Sequence, residues 1–175
     1  MDAGTHYLDD IRVQFGKLKA LAEGAIGQVT DEQLFRCIGE ESNSIAIVMR
    51  HVGGNLRSRF TDFLTTDGEK PDRKRDGEFT ILPGTSRDTI VAEWEAGFTC
   101  VNAAVQALTP GDLLRDVHIR AERFSVIQAL QRALTHLAYH VGQIVVLAKQ
   151  LQGSSWQTLS IPRGQSEQFT GLRRF

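Results

Sequence analysis

Five histidines, His6, His51, His118, His136 and His140, are the residues whose type and spacing could do chemistry. His136 and His140 lie four apart in a strongly periodic segment, so their imidazoles project from one helix face, one turn apart, within reach of a single metal ion. His51 precedes Val52-Gly53 as His140 precedes Val141-Gly142. At about 100° per residue, His136 and His140 fall on the flank of the Leu137/Val141 apolar stripe, and His51 bears the same relation to Val52. A flank is where packed helices open towards solvent. Three neutral imidazoles around one divalent ion, with a fourth position left for water or substrate, form a catalytic arrangement. The plain alternative is that a His-x-x-x-His pair is ordinary helix surface or packing. His6, near the terminus, and His118, in a stretch that reads as irregular linker, fall outside the set.

The surroundings narrow the chemistry. Leu137 stands where a His-Glu-x-x-His zinc protease needs its glutamate, and no carboxylate lies within a turn or two of His136 on its face. A nucleophile would therefore have to be ionised by the metal itself. Asn55 and Gln143 follow site histidines by four and three residues and either orient a ligand or form a polar rim. Gly53, Gly54 and Gly142 mark close backbone approach, for a substrate or for helix packing. Arg163 could anchor a substrate carboxylate if the tail folds over the mouth; otherwise it is a surface arginine. Cys37 and Cys100 read as small core residues. Arg73-Lys74-Arg75 is offset by Asp72, Asp76 and Glu78 and reads as solvated loop. Imidazole suits zinc, nickel, copper and iron alike, so the residues leave the metal open.

Four helical stripes must position these groups. The first spans 5–25 through Leu8, Ile11, Phe15, Leu18 and Ala22. The second spans 43–64 through Ile45, Val48, Val52, Leu56 and Phe63, with Ser42, Asn43 or Ser44 as N-cap. The third spans 87–108 behind Ser86, and the fourth 125–151 behind Ser125, stopping near Gly153. One-sided stripes of this width predict an all-α chain, an antiparallel four-helix bundle. Residues 65–85 read as a long crossover loop between the second and third helices, and 153–175 as a tail packed on the bundle. A faint repeat relates Val29-Thr30 and Leu34-Phe35-Arg36 to Leu108-Thr109 and Leu113-Leu114-Arg115.

Length and composition bound the reading. A chain of 175 residues predicts one domain, 1–175. Its formal charge of −1 argues against nucleic acid as a partner. The apolar runs are too short to span a membrane, the N-terminus lacks the features of a signal peptide, and two cysteines make no disulfide framework. A cytoplasmic protein acting on a small molecule is the expectation.

With the histidines placed, the chain resembles the DinB/YfiT-like superfamily, and most sharply one uncharacterised subfamily of it. The resemblance rests on the stretch from His51-Val52-Gly53-Gly54-Asn55-Leu56-Arg57 to Asp67-Gly68-Glu69-Lys70, on Tyr139-His140-Val141-Gly142-Gln143-Ile144, and on Ser160-Ile161-Pro162-Arg163-Gly164-Gln165-Ser166. It implies an up-down-down-up bundle whose divalent metal is held by one histidine of the second helix and a His-x-x-x-His pair of the fourth, positions that His51, His136 and His140 match. Characterised relatives use a low-molecular-weight thiol such as bacillithiol or mycothiol for S-transfer or isomerisation, and others are labelled metal-dependent hydrolases. The resemblance thus implies a zinc enzyme, with nickel a possible occupant, transferring a thiol cosubstrate to an electrophile. Hydrolysis by metal-ionised water and a non-catalytic metal- or ligand-binding bundle are the alternatives. Relatives also pair, and with Trp94, Trp156 and Phe169 as spare aromatic surface a homodimer is expected.

Overall fold

The computed structural model describes residues 2–169, with Phe169 represented by its backbone alone. The Asp2 carboxylate accepts from the amides of Gly4 and Thr5 and so caps α1 (Ala3–Ile26). The three-and-four spacing of Leu8, Ile11, Phe15, Ala22 and Ala25 puts them on its buried face. A short helix, α2 (Asp31–Phe35), follows behind a Thr30/Gln33 capping box and adds to the four expected helices. Five residues are too few for helical periodicity to register. Of the three candidate caps, Ser44 opens α3 (Ile45–Phe60). This helix ends short of the expected residue 64 because Thr61 turns extended and Asp62 adopts φ +50°. Ser86 caps α4 (Arg87–Ala107), and Ser125 caps α5 (Val126–Gln152) through a box with Gln128.

The four long helices share one contiguous core: α3 packs along α4, α1 along α5, and α3 meets α5. Trp94, Phe15, Phe98 and Leu137 are among its fully buried side chains, each stabilising the fold by about 1.5–3 kcal/mol. The α3–α4 crossing is set by paired glycines. A Cβ on Gly53 would stand 2.5 Å from the Glu93 carbonyl oxygen, and one on Gly97 would stand 2.6 Å from that of Gly53. Trp94 is 1% exposed and so supplies none of the spare aromatic surface expected of it, whereas Trp156 packs half-buried against the core. The Phe169 side chain and the end of the tail, 170–175, lie outside the described residues.

Between α4 and α5 the chain forms an antiparallel hairpin, β1 (Asp116–Ile119) and β2 (Glu122–Ser125), in place of the irregular linker expected around His118. Its two turn residues, Arg120 and Ala121, have φ of +57° and +63°. Asn-Gly usually supplies that conformation, and without it the turn leaves no sequence signature. Asp67 compensates from the loop after α3: its Oδ1 accepts from Arg120 N at 2.8 Å and its Oδ2 from Ala121 N at 2.7 Å. Gly68 N also donates to the His118 carbonyl at 2.8 Å. The crossover loop is thus docked on the hairpin, and further along it forms a 3₁₀ turn, Arg75–Phe79, packed against α3.

The faint repeat has a local meaning. Thr30 and Thr109 each sit at the N-cap of a short helical turn, flanked by buried Val29 and Leu34 in one case and Leu108 and Leu113 in the other. The architecture is predominantly helical, with five α-helices and one two-stranded sheet among the described residues. No helix among them is long and apolar enough to cross a membrane.

Candidate metal centre

The packing of α3 on α5 brings His51, His136 and His140 together. His51 Nε2 lies 3.3 Å from His136 Nε2, which lies 3.2 Å from His140 Nε2. The other ring nitrogens face away from this point. His51 Nδ1 is 2.8 Å from Glu78 Oε2, and His140 Nδ1 is 2.8 Å from Gln143 Oε1. A carboxylate and an amide oxygen can only accept, so both Nδ1 atoms carry a proton, and in the neutral ring each Nε2 presents its lone pair to the shared point. A single N–H on His136 Nε2 could serve one of its neighbours, whereas a cation at the centre serves all three. Zinc–nitrogen bonds of about 2.0–2.1 Å in tetrahedral geometry place ligand nitrogens about 3.3 Å apart, a spacing that the His51–His136 and His136–His140 pairs match, and the three donor atoms all lie within 4.8 Å of one another.

Electrostatics favours the neutral form of the two α5 ligands. Burial, followed by the charges of His140 and His51, lowers the His136 pKa to about 3. Burial also lowers that of His140, against the hydrogen bond to Gln143. Glu78 shows the opposite balance. Its burial favours the neutral acid, but hydrogen bonds from His51 and Arg73, and the Arg73 charge, outweigh this and hold its pKa below the ordinary value. Arg73 grips it with two bonds, Nε to Oε1 at 2.8 Å and Nη2 to Oε2 at 2.9 Å.

Glu78 and Arg73 belong to the loop that reads as solvated, and the structure corrects that reading. The Arg73 side chain is 4% exposed and Glu78 is buried. Phe79 explains why, with its ring centroid 4.9 Å from that of His51. An aromatic in a polar segment gains by burial and carries its neighbour inward, which is the signal that Glu78-Phe79 offers in the sequence. Gly54 makes the room, since a Cβ there would come within 2.8 Å of the Glu78 carboxyl carbon. The carboxylate absent from the face of His136 therefore arrives from a remote loop, as the orienting partner of His51 rather than as a free base.

The remaining candidates divide. Buried Asn55 lines a cavity of about 620 Å³ that opens beside His51 and His136. Gln143 touches the cluster through His140. Arg163 is exposed and does not line this cavity, and the Gly142 position has nothing within 4 Å that a Cβ would meet. His6 is exposed; His118 lines the cavity outside the three-histidine cluster. Cys37 is exposed and Cys100 half-buried, so neither is a fully buried core residue. Phe63, expected in the apolar stripe of the second helix, instead lines this cavity, and Phe60, Ile119 and Tyr139, together with several arginines, complete the walls without having been singled out by spacing.

No curated protein and no solved structure matches the chain. A family model described as "Protein of unknown function (DUF1572)" matches residues 2–165, nearly the whole length, and the chain belongs to that family.

Proposed function

We propose that the chain is a metal-dependent enzyme that transfers a low-molecular-weight thiol, of bacillithiol type, to an electrophilic small molecule. The observation that carries this reading is the convergence of three imidazole Nε2 atoms, two of them with Nδ1 already engaged by Glu78 and Gln143. A divalent ion held by His51, His136 and His140, zinc in the cell with nickel a competitor, would supply the Lewis acidity that ionises a thiol at neutral pH.

The chain's own residues then have distinct tasks. Glu78 and Gln143 fix ring orientation and tautomer, and such partners raise ligand basicity. Glu78 is no general base, because its oxygens accept from Arg73 and His51 and its pKa is held low. Among the described residues the cluster's carboxylate neighbour, Glu78, is already engaged, which favours a nucleophile ionised by the metal over one deprotonated by the protein. Phe60, Phe63 and Ile119 offer an apolar wall for the acceptor. The family match and the origin of the histidines on two long helices support placing the chain in the DinB/YfiT-like superfamily. The fold is then its up-down-down-up four-helix bundle, with α2 and the hairpin as additions.

The test is elemental analysis of protein purified without a nickel column, followed by assays with bacillithiol, mycothiol, glutathione and coenzyme A against a haloaromatic acceptor. Stoichiometric metal, with thiol-dependent turnover lost to a chelator and restored by zinc, is expected. Ester cleavage without thiol would assign a hydrolase instead. Bound metal without either activity would assign a binding protein.

A further inference from the structure

We infer that the cavity beside the histidines holds the anionic end, a carboxylate or phosphate, of an organic ligand against Arg75, Arg120 and Arg132. This deepens the proposed function and rests on it only for calling that ligand a substrate.

Among the described residues five arginines line the cavity, and no aspartate or glutamate does. Two of them are buried and engaged. Arg59 donates to the Gly68 carbonyl and to Glu69, and Arg73 to Glu78 and Glu69. The carboxylates behind the wall are spread thin. Glu69 serves Arg59 at 3.0 Å, Arg120 at 2.9 Å and Arg73 at 3.4 Å. Asp67 is occupied by the backbone amides of Glu69, Arg120 and Ala121. Among the described residues Arg75 has one carboxylate within reach, Asp76 at 3.8 Å, and its guanidinium lies 5.1 Å from the Phe79 ring centroid; Arg132 has no carboxylate partner there, lying instead 5.7 Å from the Phe124 ring. Burial, and behind it the charges of Arg73 and Arg120, depress the Arg59 guanidinium even with Glu69 bound to it.

Like charges are costly to gather unless something uses them. Here the 3₁₀ turn (Arg75), the hairpin (Arg120) and α5 (Arg132) each contribute one to the lining of the same concavity. A cleft lined by one sign of charge, with apolar walls, concentrates the field on an entering anion. Guanidinium groups match carboxylate and phosphate oxygens in paired hydrogen bonds. Phe60, Phe63, Ile119, Ala129 and Ala133 give the uncharged body of the ligand a surface, and about 620 Å³ suits a small organic molecule. His51 and His136 border the same space, so an anion seated on the arginines leaves the rest of its molecule beside the metal-ligand cluster.

The test titrates metal-free full-length protein, dialysed against a chelator, with phenyl phosphate, phenylacetate and the neutral benzyl alcohol by calorimetry. Either anion should bind at least tenfold tighter than the alcohol, and which one does so distinguishes phosphate from carboxylate. Arg132→Ala and Arg75→Ala should each weaken the anion about tenfold, the scale of one charge-assisted hydrogen bond, and leave the alcohol unchanged. Anion binding no tighter than that of benzyl alcohol, or undiminished in the Arg75→Ala/Arg132→Ala double variant, overturns the inference. Both sites are exposed, so circular dichroism should show the fold retained. Zinc binding, followed separately by competition with a chromophoric chelator, reports on the metal reading alone, so either can fail without the other.

Discussion

Glu78 Oε2 accepts the Nδ1 proton of His51 at 2.8 Å, across 27 residues of sequence and from a loop without regular strand or α-helix. That bond turns the His51 Nε2 lone pair towards His136 and ties the ligand cluster to the loop. Glu78→Ala should therefore weaken zinc binding about 10–100-fold, the usual cost of losing such a partner. Glu78→Gln, which still offers an oxygen to His51 but forfeits the Arg73 pair, should fall between. Zinc competition titrations on both variants check this; wild-type affinity in Glu78→Ala would exclude the orienting role.

The ligand set predicts a sharp contrast among histidines. His140→Ala should lose stoichiometric metal, while His6→Ala and His118→Ala should keep it, since neither belongs to the cluster. A ligand that binds only the folded chain raises its stability by about 4 kcal/mol at a thousandfold excess over Kd. Zinc should accordingly raise the melting temperature of wild type and of the two control variants, and leave His140→Ala nearly unmoved.

Three glycines that look alike in sequence should respond differently to alanine. At Gly53 a Cβ meets the Glu93 backbone, so Gly53→Ala should destabilise by about 1–3 kcal/mol through overpacking. At Gly54 it meets the Glu78 carboxyl, so metal affinity should fall together with stability. At Gly142 it meets nothing, and Gly142→Ala should stabilise α5 by about 0.5–1 kcal/mol through helix propensity. Urea denaturation of the three variants tests this order.

Acid should destabilise the metal-free chain. His136 is lowered from 6.5 to about 3 in the folded state. Between these values the unfolded chain holds a proton that the folded chain does not, so each step down in pH favours unfolding. Above pH 6.5 neither state is protonated at this residue and its contribution is flat. Urea midpoints in chelator should fall from pH 6.5 towards 3, and His136→Gln should flatten part of that slope.

The hairpin turn should depend on Asp67. Removing its carboxylate in Asp67→Ala leaves the amides of Arg120 and Ala121 without their acceptor in a left-handed turn. Replacing Arg120-Ala121 by Asn-Gly, which adopts that turn readily, should recover stability in the Asp67→Ala background. Thermal melts of the single and combined variants decide it.

The sequence by itself determined the long helices and the three histidines. Both are recorded locally, as apolar residues recurring every three or four positions, Ser44, Ser86 and Ser125 at the N-caps, and a His-x-x-x-His pair one turn apart. What lay beyond it was whatever depends on contacts between distant segments. Helix α2 is too short to show a period, and the hairpin turn is held by Asp67 rather than by turn residues of its own. Arg73 and Glu78 read as solvated charges because their pairing and burial exist only once the loop has folded over α3. Trp94, Cys37 and Arg163 show the same limit, since a residue's type sets what it gains from burial and only the packing decides whether it is buried. Tertiary structure also converted three flanking histidines into one convergent donor set beside an arginine-lined cavity, because the direction of an imidazole lone pair is fixed by the partner of its other nitrogen.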